Sequence, residues 1–262
     1  MPARASEVEP DIRDRCAIAV MAKASEAGRV KTRLAQTVGA EAAAELNTAF
    51  LRDIADNILR AQSLASISPW MAFAPRGTED FFKATLPADV RLLETVAPNF
   101  GDCLFHAVSS LLGFGYRSAC VLNSDSPTLP AAYLVAAAIA LAADGDRGVI
   151  GPSTDGGYYL LGLKQPHRRL FDDITWSTEH VGRQTLERAA EIGLPMVVLP
   201  PWYDVDDAAT LALLREELAT GGARPAGGGA RGSLAAATRS LLAGLPDTVQ
   251  TMPARPTAKV AG

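Results

Sequence analysis

The pattern most informative about the fold is CAIAVMAKASEAGRVKTRL, residues 16–34. Its first seven residues are apolar and predict a buried strand. A polar, basic loop follows, and residues 39–64 then carry apolar side chains at helical spacing, which predicts a long amphipathic helix. A buried strand that leads through a loop into a helix is the repeating unit of an α/β protein.

The same alternation continues along the chain. Further strands are predicted at residues 68–74, 90–96, 118–123, 147–152, 158–163 and 195–200, and helices at 102–112, 131–143, 177–192 and 207–218. We expect Ser177 or Thr178 to cap the third of these helices and Asp207 to cap the last. In GPSTDGGYYLLGL an Asp-Gly-Gly turn joins two strand-like runs directly, which predicts a hairpin. The expected fold is α/β, with three layers and a mainly parallel sheet that has a small antiparallel portion.

Composition divides the chain into four parts. Residues 1–15 are predicted to be a flexible leader, and 16–220 a single catalytic domain. Residues 221–232 are predicted to be a linker because seven of the twelve are Gly or Pro. Residues 233–262 are predicted to form a short helix, at 233–243, and a disordered tail.

Charge and composition exclude several classes of function. Hydrophobic residues make up 48% of the chain and charged residues 21%, as in ordinary globular proteins. A net charge of −4 makes it a poor general binder of nucleic acid. The longest apolar run, residues 131–143, is too short to span a membrane, and no apolar signal core is present. Three cysteines without a C-x-x-C pair argue against a disulfide framework, so we expect a cytoplasmic protein. The sequence leaves a homodimer open.

The basic loop after the first strand is the first candidate site, because ligands of open α/β sheets bind beyond the carboxyl ends of strands. Four cations lie here against the single acid Glu26, and Gly28 allows a tight turn. The four are Lys23, Arg29, Lys31 and Arg33. Together with the following helix they could hold a diphosphate or triphosphate. The alternative is a solvated loop that pairs with surface acids.

Two carboxylates are candidate ligands of a divalent cation. Asp125 follows the strand SACVLN, and Asp206 lies in WYDVDD after the last strand, where Asp204 projects to the same side. Mg²⁺ prefers a few carboxylates together with phosphate and water. The alternatives are that Asp125 or Ser126 caps the next helix and that the WYDVDD acids are solvated turn residues.

The Asp155-Gly156-Gly157 turn is a candidate for close approach of the backbone to a ligand, although an ordinary hairpin turn explains it equally well. Trp176 precedes a predicted helix start. It could line a pocket for the acceptor, the molecule that receives the transferred group.

The motif order resembles a known family over residues 16–218. MAKASEAGRVKTRL, LNSDSPTLP, GPSTDGGYYLLGL, FDDITWST and WYDVDD resemble bacterial glycosyltransferase-like proteins of GT-A fold related to phospholactate guanylyltransferase, whose substrates are largely unassigned. The resemblance implies a Rossmann-like GT-A fold, that of the nucleotide-diphospho-sugar transferases. This sequence departs from the family pattern at two places. At GDCLFHA, residues 101–107, the family pattern has a basic residue, and at position 123 this chain has Asn where Gly is common in the family.

The resemblance also implies roles for individual residues. Nucleotide binding falls to Ala22, Lys23, Gly28, Arg29, Lys31, Arg33, Asn123 and Ser124. Catalytic roles fall to Lys23, Lys31, Arg33 and Asp125, and Mg²⁺ or Mn²⁺ would lie at Asp125 and Asp206. The acceptor would contact Asp155, Gly156, Gly157 and Trp176.

Three functions fit these expectations. Nucleotidyl transfer from a nucleoside triphosphate ranks marginally first, because the basic loop is rich enough for a triphosphate and Ser-Asp-Ser-Pro lacks a second Asp. Glycosyl transfer from a nucleotide sugar to a small-molecule acceptor is the alternative. The altered GDCLFHA segment also allows a nucleotide-binding protein that has lost catalysis.

Overall fold

The computed structural model describes residues 11–220 and 232–245. Residues 1–10 of the leader predicted at 1–15, residues 221–231 of the linker predicted at 221–232, and residues 246–262 at the end of the chain lie outside the described residues. Within the described part, no helix combines the length and the apolar character that crossing a membrane requires.

Strands and helices alternate as the sequence pattern predicts. The strands are β1 (Cys16–Lys23), β2 (Ile67–Ala74), β3 (Arg91–Glu94), β4 (Ser118–Leu122), β5 (Gly148–Pro152), β6 (Tyr158–Leu163) and β7 (Met196–Val198). The helices are α1 (Thr32–Val38), α2 (Ala40–Gln62), α3 (Glu79–Thr85), α4 (Phe100–Gly113), α5 (Ala131–Ala142), α6 (Val181–Glu191), α7 (Ala208–Ala219) and α8 (Ala236–Gly244).

The strands form one sheet in the order β3-β2-β1-β4-β6-β5-β7. β6 pairs antiparallel with β4 and β5, and the other described pairs are parallel. This confirms a mainly parallel sheet with a small antiparallel portion. The hairpin predicted around Asp-Gly-Gly is β5–β6.

Helices cover both faces of the sheet, and β1 shows how side-chain size places them. Ile18 and Val20 point to the face packed by α2 and α5, whereas Ala17 and Ala19 point to the face packed by α4. The alternation follows from the two-residue period of a strand. Small alanines on one face allow α4 to approach the sheet closely.

Two helical predictions need correction. α6 begins at Val181 and not at Ser177, and neither Ser177 nor Thr178 is its N-cap. Ser177 has a φ of 65°, and the Thr178 hydroxyl donates to the carbonyl oxygen of Thr175, so this segment forms a turn. The second difference is a pair of short helices, α1 and α3, that the apolar spacing did not predict. The prediction that Asp207 caps α7 is confirmed, because its side chain accepts from the Thr210 N–H.

The strand order creates a crevice between β1 and β4. The chain leaves β1 towards β2 on one side, and β4 joins on the other side, so the loops that follow the two strands diverge. Such a reversal of strand order at the carboxyl ends is where open α/β sheets bind ligands. The predicted site residues after both strands meet here.

Candidate active site

Two loops from distant parts of the chain are joined at this crevice. The Val205 N–H donates to the carbonyl oxygen of Asp125 at 2.8 Å. The Ser126 hydroxyl lies 3.0 Å from the carbonyl oxygen of Tyr203 and shares its single proton between that oxygen and Asp204 Oδ1. These bonds hold the carboxylates of Asp125 and Asp206 on the same side of the sheet, as the sequence analysis expected.

The ammonium group of Lys31 lies between these two carboxylates. Its Nζ is 2.7 Å from Asp125 Oδ1 and 3.0 Å from Asp206 Oδ1, and it also donates to the carbonyl oxygen of Val205 at 2.7 Å. The Lys31 side chain is only 5% exposed. Lysine has three donors, and all three are therefore used within the protein.

The electrostatics favour the charged form of this lysine. Burial would lower the pKa of the Lys31 ammonium, but the attraction of Asp125 and Asp206 exceeds that effect and raises the pKa above its ordinary value. The backbone of Lys31 has a φ of 48°, a left-handed conformation directly before α1. The backbone of Lys31 is therefore strained, and Lys31 is the residue whose side chain joins the two acidic loops.

The other three cations of the basic loop are more open. Arg33 is 70% exposed and donates from Nη2 to Asp206 Oδ2 at 2.7 Å. Arg29 pairs with Glu26 at 3.1 Å on the surface, as the alternative of a solvated loop expects. Lys23 is exposed at the end of β1. The structure thus separates one buried cation from three that a ligand can reach.

Two cavities flank the Asp125–Asp206 pair. The first, about 420 Å³, holds all four cations of the basic loop among its lining residues, together with Ala22, Asn123 and Ser124. The second, about 700 Å³, lies towards Asp155, Gly157 and Trp176. Their shared rim consists of Met21, Arg33, Phe100, Asn123, Asp125 and Asp206. Gly28, with a φ of 78°, shapes the basic loop without lining either cavity.

Asp204 belongs to the second cavity and is held by hydrogen bonds. Asn123 Nδ2 donates to Asp204 Oδ1 at 2.6 Å, and the Ser126 hydroxyl donates to the same oxygen at 2.7 Å. Burial raises the pKa of the Asp204 carboxyl to about 6, although the Ser126 hydrogen bond opposes this shift. Asn123 thus positions an acid of the site.

The Asp-Gly-Gly turn packs tightly against the start of α6. The Gly182 N–H donates to the carbonyl oxygen of Gly156 at 2.9 Å, and the Gly157 N–H donates to Asp155 Oδ1 at 2.9 Å. Gly156 has a φ of 93°, and a Cβ there would lie 2.2 Å from the carbonyl oxygen of Glu179. The turn is thus a hairpin turn whose Asp155 and Gly157 line the second cavity and whose Gly156 does not.

Trp176 lies against α4, and this contact explains why the GDCLFHA segment begins with a glycine, Gly101. Its ring meets that of Phe100 edge to face at 5.4 Å between centroids. A Cβ on Gly101 would lie 2.7 Å from the indole nitrogen, so only glycine leaves room for the ring. Phe100 and Glu179 line the second cavity but were not among the predicted site residues. The sequence signal for this contact was Gly101, the position where a side chain would meet the Trp176 ring.

The donor set of Asp125 and Asp206 fits a hard divalent cation. A positive group, the Lys31 ammonium, already lies between the two carboxylates. Among residues 11–220 and 232–245, no group of three or more His, Cys, Asp and Glu side chains is placed to hold a metal. An ion here would need phosphate and water as its remaining ligands, which is the usual way in which Mg²⁺ binds.

Comparison with known proteins identifies the fold family. Residues 57–178 match the family described as an uncharacterized protein conserved in bacteria, DUF2064. A crystal structure from Desulfovibrio desulfuricans G20, provisionally described as a nucleotide-diphospho-sugar transferase, is 28% identical, with a TM-score of 0.67. The match covers 78% of this chain and 95% of that one. The chain is therefore similar to this family over residues 57–178 and shares the fold of the nucleotide-diphospho-sugar transferases.

More distant structures share the fold of this GT-A-like chain. CMP:2-keto-3-deoxy-manno-octonic acid synthetase, complexed with CTP, is 13% identical with a TM-score of 0.50, and the match covers 79% of this chain and 99% of that one. The 4-diphosphocytidyl-2C-methyl-D-erythritol synthase from Anaerococcus prevotii DSM 20548 is 9% identical, with the same TM-score and coverage. No curated protein matches the chain.

Proposed function

We propose that this protein is a metal-dependent transferase that uses a nucleoside triphosphate and releases pyrophosphate. The observation that carries the proposal is the position of Asp125 and Asp206 on the shared rim of two cavities, next to a basic loop. A donor in the first cavity and an acceptor in the second would meet at these carboxylates.

The basic loop would bind the phosphates of the nucleotide. Lys23, Arg29 and Arg33 line the first cavity and are exposed, so their charges can reach a bound polyphosphate. Neutralising charge on the leaving phosphates is the main way in which enzymes accelerate phosphoryl and nucleotidyl transfer. Asn123 and Ser124 would contact the nucleotide from the β4 side.

Asp125 and Asp206 would hold Mg²⁺ or Mn²⁺. Such an ion supplies positive charge that polarises the phosphate and orients it. Lys31 would then act through the carboxylates, because its three donors contact Asp125, Asp206 and Val205. The catalytic role expected for Lys31 is accordingly that of a counter-ion within the site.

Glycosyl transfer from a nucleotide sugar is the second candidate. The 28% identical protein from Desulfovibrio desulfuricans carries the description of a nucleotide-diphospho-sugar transferase. Both reactions would use the same phosphate-binding loop, but they differ in the leaving group. Pyrophosphate leaves in nucleotidyl transfer, and a nucleoside diphosphate leaves in glycosyl transfer.

The test is a panel of nucleoside triphosphates and nucleotide sugars, each with Mg²⁺ or Mn²⁺ and small-molecule acceptors. We expect Asp125→Asn to lower the rate about 100-fold or more, because a carboxylate ligand of the cation that neutralises the reacting phosphates is lost. The fold should persist, since Asp125 accepts from Val205 through its backbone. Asp89→Asn, an exposed acid in the loop before β3, is the matched control.

The products decide between the candidates. Release of pyrophosphate supports the proposal, and release of nucleoside diphosphate supports glycosyl transfer. Nucleotide binding without turnover across the panel would indicate a binding protein that has lost catalysis. Full activity of Asp125→Asn would remove this carboxylate from the mechanism.

A further inference from the structure

The two cavities at the shared rim have opposite charge. The first is lined by Lys23, Arg29, Lys31 and Arg33, with only the rim carboxylates opposing them. The second is lined by five acids: Asp125, Asp155, Glu179, Asp204 and Asp206. Arg33 is the sole basic side chain among the described residues that line the second cavity, and it pairs with Asp206.

The second cavity stays negatively charged even if a cation neutralises the carboxylates of Asp125 and Asp206 on the rim. Asp155 and Glu179 lie away from the rim in the second cavity, and both are exposed to solvent. Asp155 accepts from the Gly157 N–H through one oxygen, which leaves its other oxygen free for a ligand. Like charges in such a cavity repel an anion, and a phosphorylated acceptor would have to overcome that repulsion.

The second cavity also has an aromatic wall. Trp176 lines it and is held by Phe100, at 5.4 Å between ring centroids, and by contact with Gly101. Tyr158 adds a second ring next to the Asp-Gly-Gly turn. An aromatic face packs against the apolar face of a ring, and carboxylates accept hydrogen bonds from hydroxyl groups.

We propose that the acceptor is an uncharged compound of the sugar type, which presents hydroxyl groups to Asp155 and Glu179 and a ring face to Trp176. The inference rests on the proposed function, since it names the substrate class of that same site. In nucleotidyl transfer, an acceptor hydroxyl oxygen forms the bond to the α-phosphorus while the bond to pyrophosphate breaks. The hydroxyl proton passes to a carboxylate that lines the second cavity.

The test compares matched pairs of acceptors that differ only in charge. Glucose, mannose and N-acetylglucosamine are each compared with their 1-phosphates, first in equilibrium binding and then in turnover with the nucleotide that the protein accepts. We expect the neutral member of a pair to bind at least about tenfold more tightly, because an anion meets uncompensated carboxylates. Preference for the 1-phosphate in every pair, or binding of neither member of any pair, would overturn the inference.

Variants of the cavity wall separate recognition from catalysis. We expect Glu179→Gln and Asp155→Asn each to weaken binding of the neutral sugar about tenfold, as a hydrogen bond to a charged acceptor is lost. Trp176→Leu should weaken it similarly, whereas Trp176→Phe should restore part of the affinity. Glu187→Gln, an exposed acid of α6 outside the second cavity, is the control. Unchanged affinity in Glu179→Gln, Asp155→Asn and Trp176→Leu would count against the inference.

Nucleotide binding is measured separately by calorimetry in the absence of any acceptor. Failure to bind nucleotides with Mg²⁺ or Mn²⁺ would refute the proposed function. Nucleotide turnover with only phosphorylated acceptors would leave that function in place and refute the acceptor class.

Discussion

At the scale of single residues, Lys31 differs most from what its position in the sequence predicts. Within AGRVKTRL it is one of several cations that could contact phosphate. In the fold, its ammonium contacts Asp125, Asp206 and the carbonyl oxygen of Val205. No local pattern distinguishes it from Arg29 or Arg33, because its partners come from other loops.

We expect Lys31→Met to uncouple metal binding from this internal cation. Methionine reaches as far as the Cε of lysine but has no ammonium group, which leaves two carboxylates facing each other and should destabilise the protein by about 1–3 kcal/mol without divalent ions. Mg²⁺ or Mn²⁺ should then raise the melting temperature of the variant more than that of the wild type. Thermal unfolding with EDTA and with each metal measures both effects.

Lys83→Met is the control for this substitution, because Lys83 forms an exposed pair with Glu79 within α3. An equal rise in melting temperature for wild type and Lys31→Met would show that the ammonium and the metal do not compete.

At the scale of helices and strands, local sequence signals predicted that an element exists better than they predicted the residues at which it begins and ends. Asp207 caps α7 as expected, since a capping side chain acts within three residues of its own position. The start of α6 was misplaced because Ser177 and Thr178 form a turn, and the Gly182 N–H in the first turn of α6 bonds to the carbonyl oxygen of Gly156 in the β5–β6 hairpin. A short helix predicted at 233–243 corresponds to α8, Ala236–Gly244, which is attached to α2.

The attachment of α8 depends on a buried carboxylate. Asp53 of α2 accepts from the backbone N–H groups of Ala237 and Thr238, at 2.8 Å each. We expect Asp53→Asn to lose one of these bonds, because an amide offers one acceptor oxygen, and to lower the free energy of unfolding by about 1–3 kcal/mol. Hydrogen exchange at the Ala237 and Thr238 amides should accelerate more than exchange in the sheet.

Asp56→Asn, on the exposed side of the same helix, is the matched control. Unchanged exchange at Ala237 and Thr238 in Asp53→Asn would mean that these hydrogen bonds do not hold α8 in place.

At the scale of the whole molecule, buried polar contacts connect segments that lie far apart in sequence. Glu217 of α7 is 7% exposed and accepts hydrogen bonds from the hydroxyl groups of Thr128 and Tyr203. Burial raises the pKa of the Glu217 carboxyl, although the hydrogen bonds from Tyr203 and Thr128 oppose the shift. The loop that carries Asp125 is thereby tied to the helix after Asp206.

This raised pKa predicts a pH dependence of stability. The folded state binds the Glu217 proton more tightly than the unfolded state, so the contribution is largest in acid and is lost as the pH rises through the folded pKa. Glu217→Gln stays neutral at every pH. We therefore expect its free energy of unfolding, relative to wild type, to increase between about pH 4 and pH 7.

Urea unfolding across this range measures the difference, with Glu216→Gln on the exposed side of α7 as the control. A constant difference between Glu217→Gln and wild type at all pH values would contradict the prediction.

The amino-acid sequence alone predicted three features: the alternation of strands and helices, the β5–β6 hairpin and the cap of α7. Each depends on side-chain spacing or shape within a few residues. The strand order, the burial of Lys31 and the opposite charges of the two cavities could not be predicted in this way. They arise from contacts such as Lys31 with Val205, which are 174 residues apart. Those contacts form only when packing of the helices on both faces of the sheet brings separate loops to one edge, and no local sequence pattern encodes that arrangement.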